Sequence, residues 1–430
     1  MTISLPAGGS ATSGRVAAPN AGPTMPPNPS RSSAARINGV DVTRSLAIML
    51  AMLSHTLIQF DVFEAWHGPT ATFTRFAIQT APVTFICLFG AMLEIVYAPR
   101  FAAGGAEAAT RQLWTRALQC YLLYALTVIA LHVSGGQSLG YTIRCLLMLG
   151  VTPYADILKF YALALLAAPL LLRMRLRHGL GAVLLFAVAV PAAHPLLAQL
   201  PEPPLLFGRD YLQKPASFLY GGTSEAGGPS VLHGLALVAA GMILGRGVRL
   251  LLSAEASERR RGALVLGLML ATTAGASAAL WNWQAPYQTV VAIADMSLRN
   301  DNHPIYAAIG LTATLLEVLL AVLLFDRLGR RWGKPVLFLG RTSLFTFSFG
   351  NILLYLAPER LPALGGGLPL ALVFFAIMLG QSWLFLRLMT PVSPEASRVW
   401  TRIATGFQRL VRGMQRPVDR TVSRLVPASA

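Results

Sequence analysis

Ten apolar runs, each about long enough to cross a bilayer as a helix, are strung along this chain with short polar segments between them. They cover residues 40–60, 76–97, 112–132, 155–172, 179–200, 231–252, 262–283, 304–325, 335–356 and 368–389. A helix needs about 20 such residues to span the hydrocarbon core, where every backbone polar group must find its partner inside the protein. The runs predict an all-α, polytopic integral membrane protein with about ten transmembrane helices. Composition agrees, with 54% hydrophobic and 12% charged residues, against about 25% charged in a soluble domain. A weaker apolar stretch, 139–151, is too short to cross and is expected to lie at the interface or re-enter.

The charges fix an orientation. With the N-terminus in the cytoplasm, the inner segments hold twenty-four Lys and Arg residues. The outer loops hold six: Arg75, Arg144, Arg209, Lys214, Arg299 and Arg360. That asymmetry obeys the positive-inside rule and puts both termini in the cytoplasm. It also accounts for the net charge of +17 without nucleic acid as a partner. No basic face interleaved with aromatics suggests a groove for it.

Residues 1–35 are rich in Ala, Pro, Gly and Ser, a composition that predicts a disordered tail. The transmembrane domain follows over 36–390, and 391–430 forms a basic tail. Between Pro394 and Met414, Trp400, Ile403, Phe407, Leu410, Val411 and Met414 recur at helical spacing, with arginines on the other faces. This pattern suits a helix on an anionic inner leaflet or one packed on the cytoplasmic loops. Cys87, Cys120 and Cys145 sit in apolar surroundings, as small core residues do. No His, Cys or carboxylate spacing suggests a metal site, and no nucleotide-binding or hydrolase motif is present.

The first apolar run is interrupted by Asp41, Arg44 and His55. At 100° per residue, the eleven steps from Arg44 to His55 return to within about 20° of the same face, about 16 Å further along the axis. Asp41, three residues before Arg44, shares that face. Charge inside a membrane normally faces a protein interior or a wet cavity. One helix would thus offer a cation near the cytoplasmic edge and a titratable base in its outer half. Topogenesis with a local ion pair, and an interfacial histidine bonded to a carbonyl, are the plainer explanations of these residues.

The segment RINGVDVTRSLAIMLAMLSHTLIQF resembles the opening of the membrane-bound acyltransferase-three superfamily, whose first helix carries an acid before an Arg-x10-His. Asp41, Arg44 and His55 match by position, while Ser45 stands where the family often has Gly. Ala81–Arg100, Val151–Leu172 (with Asp156, Tyr161 and Pro169) and Phe338–Tyr355 further resemble the OpgC-like branch, which succinylates periplasmic glucans. The resemblance implies an acyl-CoA donor on the cytoplasmic side and no metal. It also implies a carbohydrate hydroxyl as acceptor, reached from the periplasm of a bacterial inner membrane. In that chemistry His55 is the general base, because a neutral alcohol is a poor nucleophile. Arg44, Asp41, Arg341 and the Arg327–Lys334 loop are the expected donor-binding residues. Asp156, Tyr161 and Glu317 are expected to bind substrate. A passage reaching both aqueous phases along one helix is the central expectation.

Other polar residues admit plainer roles. Asp156 and Lys159 can simply pair with each other, and Glu94 suits helix packing or snorkelling. His132, His194, His233 and His303 fall at outer helix ends. A secondary transporter or flippase for a small anion or lipid-linked sugar could use Glu317 and His55, but no internal repeat supports it. A non-catalytic scaffold would leave the shared Arg–His face without purpose.

Overall fold

The computed structural model describes residues 37–221, 229–281, 285–330, 337–357, 367–390 and 397–426. The expected N-terminal tail, Arg331, Lys334 and Arg360 lie outside them. Among these residues nine helical stretches are long and apolar enough to cross a membrane, and no β-strand occurs. In chain order the main helices are α1 (Asn38–Gln59), α2 (Pro69–Ile78), α3 (Ala81–Met92), α4 (Ala106–Val133), α5 (Leu139–Leu146), α6 (Asp156–Ala192) and α7 (Val231–Leu251). They continue with α8 (Ala256–Trp281), α9 (Pro286–Ala294), α10 (Ser297–Asn300), α11 (Pro304–Ala321), α12 (Leu337–Tyr355), α13 (Gly367–Met389) and α14 (Arg398–Leu425).

The count of nine against the expected ten turns on α6. Its 37 residues are interrupted at Gly179, which sits at φ 78° and ψ −174°. Only Gly takes that backbone conformation without strain. Arg175, just before it, makes a bidentate pair with Glu94 (3.1 Å for each contact). Past the far end of α6, the His194 ring lies 5.4 Å from His303 and 6.1 Å from His233. Those two residues begin α11 and α7 at the same face of the bundle as Asp156. The chain therefore reverses at Gly179, and α6 supplies two crossings. Ten passes result among the described residues, as the hydropathy pattern predicts.

The second expected span also divides. α2 and α3 meet at Gln79–Thr80, and α3 runs on through a π-turn at Leu93–Tyr97. Insertions of this kind shift the register of a helix face. Here the π-turn carries Glu94, which is 1% exposed, to its pairing with Arg175.

Small residues set the tightest contact. A Cβ on Gly241 of α7 would come within 1.9 Å of the Cys87 carbonyl oxygen, and one on Gly90 of α3 within 1.9 Å of that of Val238. Close approach over small residues is how helices associate where no water drives them together. α1 is held at both ends of its inner half. Its first amides, Asn38 and Gly39, donate to the two oxygens of Asp326 at 2.8 and 2.7 Å, satisfying groups that a helix start leaves orphaned. Ser45, the departure from the family's Gly, accepts from the Gly340 amide at 2.9 Å and donates to the Asp41 carbonyl, tying α1 to α12.

The C-terminal helix extends beyond the expected 394–414, running through Pro417 to Leu425. It docks on α4 and α13: Ala404, Val418 and Val422 are buried, and Gln408 donates to the Leu388 carbonyl at 2.8 Å. Val399, Ile403, Leu410 and Met414 stay exposed. Both expected roles of this stretch thus have residues to serve them, on different faces.

Candidate active site

α1 presents Ile48, Ala51, Ser54, His55 and Ile58 along one stripe, at the i, i+3, i+4 spacing of a helix face. That stripe forms a wall of a cavity of about 650 Å³. The opposite walls come from the start of α3 (Ala81, Pro82, Phe85), from Phe347 of α12, and from the segment before α6 (Val151 to Asp156). Lys214, Pro229, Met296 and Arg299, all on segments assigned to the outer face, line its mouth.

His55 is held from α12. Its Nδ1 lies 2.8 Å from Oδ1 of Asn351, which is fully buried, while Asn351 Nδ2 donates to the Tyr154 carbonyl at 3.3 Å. The second bond assigns the amide: Nδ2 must donate, so Oδ1 accepts. Nδ1 of His55 then carries a proton, and in the neutral ring this leaves the lone pair on Nε2. Nε2 has no hydrogen-bond partner among the described residues. The imidazole is further located by Tyr154 at 4.5 Å and Phe347 at 5.3 Å between ring centres.

The segment from Gly150 to Ala155 is irregular backbone beside the bundle core, so its polar groups need partners. Side chains supply them. The Tyr141 hydroxyl donates to the Val151 carbonyl (3.0 Å) and accepts from its amide (3.2 Å). Lys159 donates to the Gly150 carbonyl at 2.9 Å, and the Tyr355 hydroxyl to that of Pro153. Tyr154 sits at φ 59° and Met296 at φ 72°, left-handed values costly for such side chains. Strain of this kind collects where the surroundings over-determine a functional geometry. Burial pushes the Tyr154 phenol up to about 12, so it stays neutral.

Charges in and around the cavity are mostly cancelled. Asp156 Oδ1 accepts from the Thr152 amide (3.2 Å) and hydroxyl (3.0 Å) and lies 3.4 Å from Lys159 Nζ, a side chain with no exposure. The expected local pairing and a place on the cavity wall are thus both true of Asp156. At the mouth, Lys214 (2.7 Å) and Arg144 (2.5 Å) share the Asp210 carboxylate, and these hydrogen bonds hold its pKa down to about 2. Arg299 differs. Among the described residues it makes no ion pair or side-chain hydrogen bond, and its enclosed Nε has no partner.

The remaining expected site residues lie elsewhere. Arg44 pairs with Asp41 at 3.8 Å, in the local ion pair that is their plainer explanation, and neither lines the cavity. Arg341 is exposed on α12. Glu317 accepts from Thr84 at 3.2 Å at the contact of α11 with α3, away from the cavity. Tyr161 donates to the Phe85 carbonyl at 2.8 Å and packs among Phe85, Phe89 and Phe160. These rings correct the central expectation. The cavity does not run through the protein but stops at Ile48, about 6 Å or one helical turn short of Arg44. The aromatic cluster occupies the space a passage would need.

Sequence reasoning passed over Asn351, Tyr154 and Arg299. Asn351 stands in a segment that resembles the OpgC-like branch, and a buried amide in a transmembrane helix is the one signal that could have drawn attention to it. Among the described residues no three His, Cys, Asp or Glu side chains form a metal-binding group.

No curated protein matches the chain. Residues 36–215, rather less than half of the sequence, match the family model described as "Heparan-alpha-glucosaminide N-acetyltransferase, catalytic". The matched stretch carries α1 with His55, the strained segment around Tyr154 and all of α6. This likeness to a membrane acetyltransferase domain supports an acyltransferase family for the chain, without singling out the OpgC-like branch.

Proposed function

We propose that this protein is a membrane O-acyltransferase that moves an acyl group, succinyl or acetyl, from a cytoplasmic acyl-CoA to a hydroxyl of a cell-envelope carbohydrate such as a periplasmic glucan. Its location in this reading is the bacterial inner membrane. One observation carries the reading: an imidazole, fixed at Nδ1 by Asn351 with no described partner at Nε2, on the wall of a cavity that segments assigned to the outer side also line. In the reaction His55 Nε2 takes the proton of the acceptor hydroxyl as its oxygen attacks the thioester carbonyl. The new C–O bond forms, the C–S bond breaks, and the CoA thiolate recovers the proton from the imidazolium. Arg44 and Arg341, on the cytoplasmic side, are suited to the phosphates of the donor. The floor of aromatic rings at Phe85, Phe89, Phe160 and Tyr161 must part to admit the acyl arm.

The family model names an N-acetyltransferase, which favours a second reading in which the acceptor is an amino sugar. The same base serves either nucleophile. The test is mass spectrometry of envelope glycans from cells with the gene, without it, and with His55→Ala. A substituent should vanish in the last two while the variant protein stays in the membrane. Release by mild base marks an ester and resistance an amide. Unchanged glycans in the His55→Ala strain would defeat the assignment.

A further inference from the structure

Of the six cations on the outer side, Arg299 alone stands on the cavity wall without a described counter-charge. Lys214 and Arg144 both pair with the Asp210 carboxylate, and Arg75 lies over the Phe63 ring at 4.9 Å. Asp156 Oδ1 takes Lys159 and Thr152, while its enclosed Oδ2 makes no hydrogen bond, to Arg299 or to any other described residue. Arg299 lies in electrostatic range of both His55 and Asp156 and shares their cavity. A guanidinium keeps its charge in any surroundings, and an enclosed charge needs a partner. The five donors of its planar fork match an oxyanion.

Building on the acyltransferase reading, we propose that Arg299 anchors an oxyanion, a carboxylate or phosphate, carried by the acceptor that enters from the outer face. Its position on α10 at the mouth, above His55, suits the incoming acceptor rather than the donor held below the aromatic floor. The acceptor is then an acidic sugar, oriented by its anionic group so that a neighbouring hydroxyl reaches Nε2. Met296, three residues before Arg299, starts α10 from a left-handed backbone at φ 72°.

The test uses the full chain in nanodiscs, with glucuronate and glucose as paired probes. Glucuronate should raise the melting temperature and glucose should not. Arg299→Gln should weaken glucuronate binding roughly 10- to 100-fold, the range expected for a lost charge-assisted bond, and Arg299→Lys should recover part of it. Equal binding by wild type and Arg299→Gln overturns the proposal. In transfer assays Arg299→Gln should raise KM for acidic acceptors only, with acetyl- and succinyl-CoA alike. A loss confined to succinyl transfer assigns the anchor to the acyl group and overturns the acceptor assignment. If no donor supports turnover but glucuronate still binds through Arg299, the transferase reading fails and the anion site stands.

Discussion

Replacing Asn351 by Leu isolates what holds the imidazole. The two side chains share branching and heavy-atom count, and the site is fully buried, so the change removes polarity with little change of outline. Two bonds go: the 2.8 Å contact to His55 Nδ1 and the 3.3 Å contact to the Tyr154 carbonyl. Without the first, the proton is free to sit on Nε2, where the ring cannot act as a base. A buried donor left unpaired costs about 1–3 kcal/mol. At 1.36 kcal/mol per decade, kcat should fall roughly 10- to 100-fold. That is less than the roughly 100- to 10,000-fold loss expected for His55→Ala, which removes the base itself. The second bond steadies the loop, so the melting temperature should drop slightly as well. Asn351→Asp keeps an acceptor opposite Nδ1 and should retain more activity than Asn351→Leu. The assay is single-turnover transfer in proteoliposomes loaded with acyl-CoA. A kcat for Asn351→Leu equal to wild type would refute the tautomer argument. So would a loss identical to that of His55→Ala.

Three further outcomes test the scaffold. Gly241→Ala places a methyl 1.9 Å from the Cys87 carbonyl; it should cost about 3 kcal/mol in a thermal assay, while Gly380→Ala, with open space around it, should cost nothing. Asp326→Ala removes both caps of α1 and should cost about 1–2 kcal/mol, with amide exchange at the start of α1 rising; unchanged exchange there would argue against the clamp. Asp210 has its folded pKa lowered to about 2 by Lys214 and Arg144. Its contribution is therefore full above the ordinary carboxylate range near pH 4 and lost as pH falls toward 2. Spectroscopic order at the mouth should fade over that window, and Asp210→Asn should remove the transition.

The ten crossings were legible because lipid imposes one solution on each apolar run. The pair Asp156–Lys159 and the face carrying His55 followed from helical periodicity alone. Asn351 and Arg299 did not, because their meaning depends on which helices become neighbours. Asn351 lies 296 residues from His55 in sequence, and nothing in its own segment reports that distance closing. Arg299 counted only as one topogenic charge among six until the fold paired the neighbouring cations with Asp210. Arg44 is a different case. Its helical face was identified correctly, but the rings of Phe85, Phe89 and Tyr161 fill the space below the cavity. Whether such rings lie beneath a hollow or elsewhere in the bundle is a matter of packing, which periodicity does not encode.

The aromatic floor has an electrical consequence. A water-filled hollow reaching inward to Ile48 would bring the external potential with it, so the membrane voltage would fall mainly over the short dielectric between Ile48 and Arg44. Carrying one elementary charge across that barrier involves about 2.3 kcal/mol for each 100 mV. An uncharged acetyl thioester crosses without that work, and the highly charged nucleotide never needs to enter. A dielectric septum of this thickness would let chemistry pass between compartments while the proton gradient stays intact.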